Sequence, residues 1–369
     1  MTSVDSARRT WAVVATSLVI GAIYVLRVLI PAGMDPSIFL ALGEETPRQT
    51  AYAEGLLGRV VLRAAFGHDG KFFFAQANDP FYLNPDEHAA FLDQPLYRGQ
   101  RMLFPLLAGG FGLFPPRVVV WAMLGLNLTA LILATVVAAK LATLWGASPW
   151  LGLSVPLNLG LLSEIDIGGA GVIAMLMSLA AVYAIARQPR GVSTGLLGAS
   201  LLLSLAALAR EVALLFALGL VALYWLRHRV AAWQLVAFPV LGAACWRLYL
   251  VCRLSGLPSG EPEQALSAPF LGLWEAFGYW VQDPIDLAIG AVLLAVLAAF
   301  ALKGIRSENL LAWGALPTIA LATILSVRVW REPYDIARAI APVLIAYPFL
   351  LFLPVAKHSP LVLSEQAFD

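Results

Sequence analysis

The chain has 369 residues, of which 60% are hydrophobic and only 13% charged, and its formal net charge at pH 7 is +1. So little polar surface cannot cover a water-soluble globule, and the chain has neither a long Lys/Arg tract nor an RNA-binding signature. The composition therefore excludes a soluble globular protein. Because the apolar runs are roughly 15–22 residues long, we predict an all-α, polytopic transmembrane bundle of about 10–12 helices, forming one domain over residues 1–369.

The first membrane helix is predicted over residues 11–30, after a pair of arginines. Its apolar core is too long for a secretory signal, and no small-residue cleavage site follows, so we expect it to be retained. Residues 32–101 then form a long polar loop. Within this loop, residues 51–66 place leucines and valines at helical spacing opposite two arginines, which predicts an amphipathic helix lying in the membrane interface.

The loop contains two carboxylates in turn-like surroundings. Asp69 lies between two glycines, in Gly-His-Asp-Gly, and such a turn lets a carboxylate approach a substrate closely. Asp79 lies in Asn-Asp-Pro, where a turn or helix cap and a catalytic role are both open. The aromatic residues between them suit the headgroup level of a bilayer, either as a plain interfacial belt or as a grip on an isoprenoid or acyl chain.

Arg98 and Arg101 stand three residues apart at the start of the next predicted helix, residues 102–114. In a helix this spacing puts both guanidinium groups on one face, where two forks can hold a phosphate bidentately. The alternative is that these arginines only anchor the helix at the lipid headgroups.

Residues 102–355 hold the remaining membrane helices, and the positive-inside rule orders them by placing the short basic loops in the cytoplasm. The predicted spans are 102–114, 118–138, 170–186, 192–208, 212–226, 231–252, 285–302, 310–327 and 340–355. Both termini are then cytoplasmic. The apolar stretch 148–162 has no partner in this arrangement, so we expect a re-entrant or broken helix pair there.

This arrangement gathers the unusual polar residues on the external face. Besides the first loop, they are Glu164, Asp166, Arg210, Glu211, Arg328, Arg331, Glu332, Asp335 and Arg338. Arg210 and Glu211 form the shortest turn, between two strongly apolar helices. They are interpreted either as a hairpin turn closed by a local ion pair or as part of an anion-binding site, and we favour the second.

Several of these stretches resemble the bacterial polytopic membrane glycosyltransferases of the GT-C superfamily. His-Asp-Gly-Lys-Phe-Phe-Phe, then Ala-Asn-Asp-Pro, then Tyr-Arg-Gly-Gln-Arg-Met-Leu-Phe-Pro-Leu are similar to the first external loop of that group. That loop tends to read Tyr-Asp-Gly-Gln-Tyr/Phe-Tyr, then Asp-Pro, then Tyr-Arg-x-x-Arg-x-x-Tyr-Pro-Leu. Ala-Arg-Glu at 209–211 and Tyr-Asp-x-x-Arg at 334–338 also resemble the group. The chain departs from it with His68 in place of Tyr and Lys71 in place of Gln.

The resemblance implies a GT-C-like fold and a mannosyltransferase-like enzyme in the plasma (inner) membrane. Such an enzyme moves a hexose or pentose from a polyprenyl-phosphate donor to an acceptor on the external, periplasmic face, usually with inversion. The sugar is not specified, and the acceptor is a glycan, a lipid or a protein. No nucleic-acid partner is expected.

The resemblance also implies roles for particular residues. Asp69 would be the general base, because an acidic residue of the first loop has that role in the group. The cations that would stabilise the leaving phosphate are Arg98, Arg101, Arg210 and Arg338, with Lys71 as a less certain fifth. The carboxylates that would orient them or bind sugar or acceptor are Asp79, Glu164, Asp166, Glu211 and Asp335. Glu-Ile-Asp at 164–166 leaves a divalent cation open, with no certain cofactor.

Two other classes remain open on the sequence. A polytopic transporter or lipid flippase would also have a helical bundle with a broken helix and charges within it. The absence of an internal repeat and the gathering of charges on one face favour the enzyme. A non-catalytic assembly subunit would need no set of acids and arginines. The chain has no Walker A, Gly-x-Ser-x-Gly or His-Glu-x-x-His motif, which disfavours nucleotide-using synthases and hydrolases.

Overall fold

The structure, a computed structural model, describes residues 3–63, 67–187, 193–257, 260 and 265–353. It consists almost entirely of helices, which confirms the all-α class. In chain order the helices are α1 (Ser3–Leu29), α2 (Pro47–Leu57), α3 (Gly70–Asn78), α4 (Pro95–Arg98), α5 (Leu103–Ala108), α6 (Pro116–Leu144), α7 (Leu159–Asp166), α8 (Gly171–Ala186), α9 (Ser193–Ala209), α10 (Ala213–Leu223), α11 (Gln234–Leu254), α12 (Leu271–Trp280), α13 (Pro284–Gly304), α14 (Leu310–Ala315), α15 (Pro317–Ile324), α16 (Val327–Trp330), α17 (Pro333–Ala339) and α18 (Ala341–Phe352).

Shorter elements connect these helices. Three 3-10 helices and one π-helical turn lie at Pro36–Leu40, Ala89–Phe91, Pro149–Ser154 and Tyr224–His228. Two two-residue strands, β1 (Leu42–Gly43) and β2 (Leu62–Arg63), pair in parallel within the loop that follows α1. Residues 64–66, 192 and 354–355 of the predicted segments lie outside the described residues.

Four of the described helical segments are long and apolar enough to cross a membrane: Arg8–Leu29, Pro116–Leu144, Gln234–Leu254 and Pro284–Gly304. The pair α17 and α18, bent by 71°, is a fifth if it is counted as one span. Large apolar side chains remain exposed along them, such as Ile23 of α1, Leu248 of α11 and Val292 of α13. Exposed leucine, isoleucine and valine on such helices face lipid, so the chain is a helical membrane protein.

The predicted span at residues 102–114 is wrong. Its helical part, α5, has six residues and rises only about 9 Å, far less than the hydrocarbon thickness. The chain then turns through Gly110, Phe111 and Gly112, all with positive φ, before α6 begins at Pro116. Gly109 lies so close to Ala77 that a Cβ would be 2.0 Å from its carbonyl oxygen, so the turn packs against α3.

Because residues 102–114 do not cross the membrane, the stretch at residues 148–162 has a partner that runs in the opposite direction, namely α6. The 29-residue helix α6 leads away from the loop, and the 3-10 helix Pro149–Ser154 followed by α7 leads back. This interruption agrees with the predicted broken pair. Arg117, at the start of α6, therefore lies at the loop end of the bundle, whereas the positive-inside rule would place its short basic loop at the opposite, cytoplasmic end.

The amphipathic helix predicted over residues 51–66 is also shorter than expected. It begins earlier, at Pro47, and ends at Leu57, because Gly58 has a φ of 87° that stops the helix. Leu62 belongs to β2 instead. The apolar side of α2 packs inward through Ala53, which is buried in the core.

Candidate active site

Asp69 directly precedes α3, in the loop between α1 and α6. Gly70, the first residue of α3, packs against backbone so tightly that a Cβ would lie 2.6 Å from the carbonyl oxygens of both Phe39 and Ile167. Only glycine allows this approach, and it fixes Asp69 beside the segment that follows α7. The glycine-flanked turn seen in the sequence therefore serves to place a carboxylate.

Three guanidinium groups converge on the Asp69 carboxylate. Arg98 Nη1 lies 2.8 Å from Oδ1, and Arg101 Nη1 lies 3.2 Å from Oδ2. Arg338 Nη2, from α17 near the other end of the chain, lies 3.5 Å from Oδ2. The Asp69 side chain keeps 21% of its surface exposed, whereas the three arginine side chains are at most 11% exposed. The carboxylate is thus the more accessible partner.

Arg98 and Arg101 are each held by a second carboxylate. Arg98 donates from Nε and Nη2 to the two oxygens of Asp93, at 2.9 and 2.8 Å. Arg101 donates from Nε and Nη2 to the two oxygens of Glu211, at 2.9 and 2.7 Å. Such bidentate pairs fix the plane of the guanidinium. In both residues the remaining nitrogen, Nη1, is therefore aimed at Asp69.

Arg338 and Arg210 share Glu164. Arg338 donates from Nε to Glu164 Oε1 at 2.9 Å and from Nη1 to Asp335 Oδ1 at 2.9 Å. Arg210 Nη1 donates to the same oxygen of Glu164. The other oxygen, Oε2, accepts the N–H of Gly171 at 2.9 Å, and the Glu164 side chain is only 2% exposed. A buried carboxylate therefore fixes two arginines from distant parts of the chain, one in the turn between α9 and α10 and the other in α17.

These contacts form one ion-pair network, which contains the following residues: Asp69, Asp93, Arg98, Arg101, Glu164, Arg210, Glu211, Asp335 and Arg338. Five carboxylates face four guanidinium groups among the described residues. Charges so little exposed are stable only when they are paired in this way. The network joins five segments of the chain, at residues 69, 93–101, 164, 210–211 and 335–338, so its geometry depends on the assembled bundle.

The network keeps the carboxylates of Asp69 and Glu211 ionised. Burial raises the pKa of the Asp69 carboxyl, but the Arg101, Arg98 and Arg338 guanidiniums outweigh it and hold that pKa well below its usual range. Burial also opposes ionisation of Glu211, yet its pairing with Arg101 lowers its pKa to about 2. Asp69 is therefore an anion at neutral pH, and an unusually weak base while all three arginines contact it.

Arg210 differs from the other three arginines. Arg98, Arg101 and Arg338 each have all three side-chain nitrogens within contact distance of carboxylates. Within the described residues, Arg210 contacts a carboxylate only through Nη1, and its side chain is 18% exposed. Its Nε and Nη2 are therefore the network guanidinium nitrogens that have no carboxylate partner among the described residues.

Three predicted site residues lie elsewhere or contribute indirectly. Asp79 is buried and accepts the backbone N–H groups of Leu83 and Asn84, both at 2.8 Å, so it closes a turn of the loop. Asp166 pairs bidentately with Arg63 at 2.9 Å, outside the network. Lys71 is buried, with its ammonium 5.1 Å from the centre of the Phe72 ring.

Two interpretations of spacing are corrected. Arg98 is the last residue of α4, and Arg101 follows it before α5 begins, so the two do not share a helical face. They converge because each is held by its own carboxylate. Arg210 and Glu211 do not pair with each other: Arg210 contacts Glu164 and Glu211 contacts Arg101, so the local hairpin ion pair is wrong.

The sequence reasoning missed Asp93 as a site residue. Its spacing of five residues before Arg98 belongs to no motif, and only the fold of the loop brings the two together. It also missed the role of α11, whose Trp246 donates its indole N–H to the Gly99 carbonyl at 2.8 Å. Arg253 of α11 donates to the Tyr82 carbonyl at 2.6 Å. These two hydrogen bonds attach α11 to the backbone of the loop.

The ion pairs also order the helices relative to the network. From the loop, α6 leads away and α7 returns to Glu164, then α8 leaves and α9 returns to Arg210. Helix α10 leaves, and α11 returns to the loop at Gly99. Helix α13 then leaves, α14 and α15 lead back toward Arg338, and α18 leaves once more. Together with α1 this makes ten segments that run along the bundle in the described part of the chain, of which four, or five with the bent pair α17 and α18, are long and apolar enough to cross a membrane.

A search of the described residues finds no group of three or more His, Cys, Asp or Glu side chains arranged to hold a metal ion. Arginines occupy the carboxylates that a divalent cation would use, and Asp166 in particular is turned toward Arg63. Comparisons of the chain with protein-family models, with curated proteins and with solved structures find no match. The function is therefore inferred from the geometry of the network and from the sequence resemblance.

Proposed function

We propose that the protein is a GT-C-like membrane glycosyltransferase. It transfers a sugar from a polyprenyl-phosphate donor to an acceptor on the external face of the plasma membrane, with Asp69 as the general base. One observation carries this proposal: a partly accessible carboxylate lies at the meeting point of Arg98, Arg101 and Arg338, at one end of an apolar bundle.

The combination of a base with several arginines fits the chemistry of a lipid-phosphate leaving group. When the bond between the anomeric carbon and the phosphate oxygen breaks, the phosphate gains one negative charge. Fixed guanidinium groups stabilise this developing charge, and they do so best where water is largely excluded. The acceptor hydroxyl must lose a proton in the same reaction, and a carboxylate beside the cations receives it.

Arg210 is the first contact that we assign to the donor phosphate, because its Nε and Nη2 are not occupied by described carboxylates. Phosphate oxygens also compete with Asp69 for the Nη1 groups of Arg98 and Arg101. Each arginine contact that moves from Asp69 to the phosphate brings the pKa of Asp69 back toward its usual range. Donor binding thus raises the pKa of Asp69, so that its carboxylate becomes basic enough to take the acceptor proton.

In the proposed chemical step, the acceptor displaces the phosphate at the anomeric carbon. The acceptor oxygen forms a bond to the anomeric carbon from the side opposite the phosphate, while the carbon–oxygen bond to the phosphate breaks. The electron pair of that bond leaves with the polyprenyl phosphate, toward Arg210 and its neighbours. The acceptor proton passes to an oxygen of Asp69. Attack from the opposite side gives inversion at the anomeric carbon.

The charge distribution supports an external site. The bundle end opposite the network carries Lys140, Arg187, Arg227, Lys303 and Arg306, in short connections or last helical turns. By the positive-inside rule this end faces the cytoplasm. The network then faces outward, and the first turns of α1 and the last turns of α18 face the cytoplasm. External sites have polyprenyl-linked sugars as donors, since nucleotide sugars are scarce there.

The substitution Asp69→Asn tests the proposal. It keeps the shape of the side chain but removes its basicity, so transfer should fall by about 10²-fold or more while donor lipid still binds. The assay follows cleavage of the sugar–phosphate bond in liposomes that contain the purified protein, membrane extract as acceptor source and radiolabelled polyprenyl-phosphate mannose, followed by other hexose and pentose donors. Asp86→Asn, the same change at an exposed position of the same loop, is the matched control.

Two outcomes would contradict the proposal. One is normal turnover by Asp69→Asn, which would leave Asp69 as a structural partner of the arginines. The other is movement of the labelled lipid between leaflets by the wild type with the sugar–phosphate bond intact, which would make the protein a flippase.

A further inference from the structure

A groove with a volume of about 620 Å³ lies at the bundle end opposite the network. Its floor is one face of α6, and its walls come from the first turns of α1 and the last turns of α8, both of which pack against α6. The residues used below are Trp11 and Val14 of α1, Val136, Lys140 and Leu144 of α6, and Arg187 at the end of α8.

The position of the groove follows from the helices that line it. Helix α8 begins at Gly171, which contacts Glu164 of the network, and Arg187 caps its other end. Helix α6 begins beside the loop, and Lys140 lies in its last two turns. The groove is therefore separated from the network by nearly the full length of two helices.

Its two cations contrast with the arginines of the network. Lys140 and Arg187 are both exposed, and within the described residues neither forms an ion pair. Every arginine of the network, by comparison, contacts a carboxylate. No acidic residue is among the described residues that line the groove, and two cations on one concave surface attract an anion.

Apart from two threonines, the remaining lining is apolar or aromatic. Val14, Val136 and Leu144 line the groove, and Trp11 at its edge keeps 73% of its surface exposed. Tryptophan at the end of a membrane helix lies at the level of lipid headgroups. A free phosphate would contact only the cations, whereas a phospholipid contacts the cations with its phosphate and the apolar walls with its acyl chains.

We propose that this groove binds an anionic phospholipid, with its phosphate between Lys140 and Arg187 and an acyl chain against Val14, Val136 and Leu144. The volume lies in the usual range of small-molecule sites, about 300–1,000 Å³. The inference does not depend on the glycosyltransferase proposal, because the groove and the network share no residue.

The test measures lipid retention by the full-length protein. Nanodiscs of phosphatidylcholine with phosphatidylglycerol as a minor component are titrated, and native mass spectrometry counts the phosphatidylglycerol that stays bound. One cation near a membrane contributes about fivefold to the affinity for an anionic lipid, so the double variant Lys140→Gln, Arg187→Gln should lose about 30-fold. Lys140→Arg, Arg187→Lys keeps both charges and should retain the lipid.

The matched control, Lys303→Gln with Arg306→Gln, removes two cations from the same end of the bundle but outside the groove. Equal loss in both Gln double variants would show a general surface charge effect and would overturn the site. Equal retention of phosphatidylcholine and phosphatidylglycerol by the wild type would overturn it as well, as would full competition by soluble glycerol phosphate.

A second variant avoids the charges altogether. Val14→Trp fills the apolar part of the groove and should displace the lipid while Lys140 and Arg187 remain. If the Gln double variant does not fold, lipid retention by Val14→Trp tests the proposal by itself. Unchanged retention by Val14→Trp would show that no acyl chain lies in the groove, which contradicts the proposal.

Discussion

The substitution Gly171→Ala tests the network without altering a charged residue. A Cβ at this position would lie 2.6 Å from Glu164 Cδ and 2.8 Å from Arg210 Nη1, closer than side chains can approach. Alanine is otherwise the better helix former, by about 0.5–1 kcal/mol. The helix propensity of alanine therefore favours the substitution, whereas the clash of its Cβ with Glu164 opposes it. We expect the clash to be the larger effect.

The magnitude follows from what the Cβ displaces. Overpacking a filled interior costs about 1–3 kcal/mol, and a hydrogen bond to a charged group, here from the Gly171 N–H to Glu164, is worth about 1.5–3 kcal/mol. After the helix preference is subtracted, we expect a net destabilisation of about 1.5–5.5 kcal/mol. Because Glu164 fixes Arg210 and Arg338, a shift near 1 Å should lower sugar transfer by about 10²-fold.

Thermal unfolding in detergent and the liposome transfer assay measure the two effects. Gly125→Ala is the matched control, because a Cβ at that position of α6 meets no atom within 4 Å. It should be neutral or slightly stabilising and fully active. If Gly171→Ala is as stable and as active as this control, then the tight packing around Glu164 does not hold the arginines.

Three further predictions follow. Arg101→Lys loses the two-pronged contact with Glu211, so transfer should fall by about 10- to 100-fold in the liposome assay; full activity would show that charge alone suffices. The pKa of Glu211 is lowered to about 2 by Arg101, so its stabilising effect is present above its ordinary pKa near 4.3 and lost as pH falls toward 2. Unfolding midpoints of wild type and Glu211→Gln should differ above about pH 5 and converge in acid. Cysteines at positions 87 and 306, in a background without the native cysteines, should react with an impermeant reagent from outside at 87 only; the reverse would invert the topology.

The class of the protein and most site residues can be predicted from the sequence. Long apolar runs define membrane helices because only helices satisfy the backbone in lipid, and no tertiary information is needed for that step. Asp69 and Arg98 are recognisable because charged residues cluster beside apolar segments. Their mutual contact could not be predicted, since it arises from the packing of α3 against the loop.

The errors have physical causes. Average hydropathy over residues 102–114 resembles that of a span, but Gly109, Gly110 and Gly112 allow a tight turn that ends α5 after six residues. Three glycines within four residues are the sequence signal of such a turn. Spacing arguments also failed for Arg98 and Arg101, because they require a continuous helix and the chain has none there.

Partner choice within the network is the part that sequence reasoning cannot supply. Glu211 follows Arg210 directly, yet it pairs with Arg101, more than a hundred residues earlier in the chain. Neighbours in sequence at a helix end point in different directions, so their partners are set by which helices pack beside them. Asp93 and Asp166 show the same effect with Arg98 and Arg63.

The wide spread of the ion-pair network along the chain has a consequence for biosynthesis. Asp69 and Glu164 leave the ribosome long before Arg338, so an unfinished chain carries carboxylates whose last partner has not yet been made. Poorly compensated charge within a bundle is costly, and it marks the molecule as incomplete. The insertion of α17 adds Arg338 and thereby completes the ion pairs of Asp69 and Glu164. A truncated or stalled copy therefore differs from a finished one in carrying network carboxylates that lack their Arg338 partner.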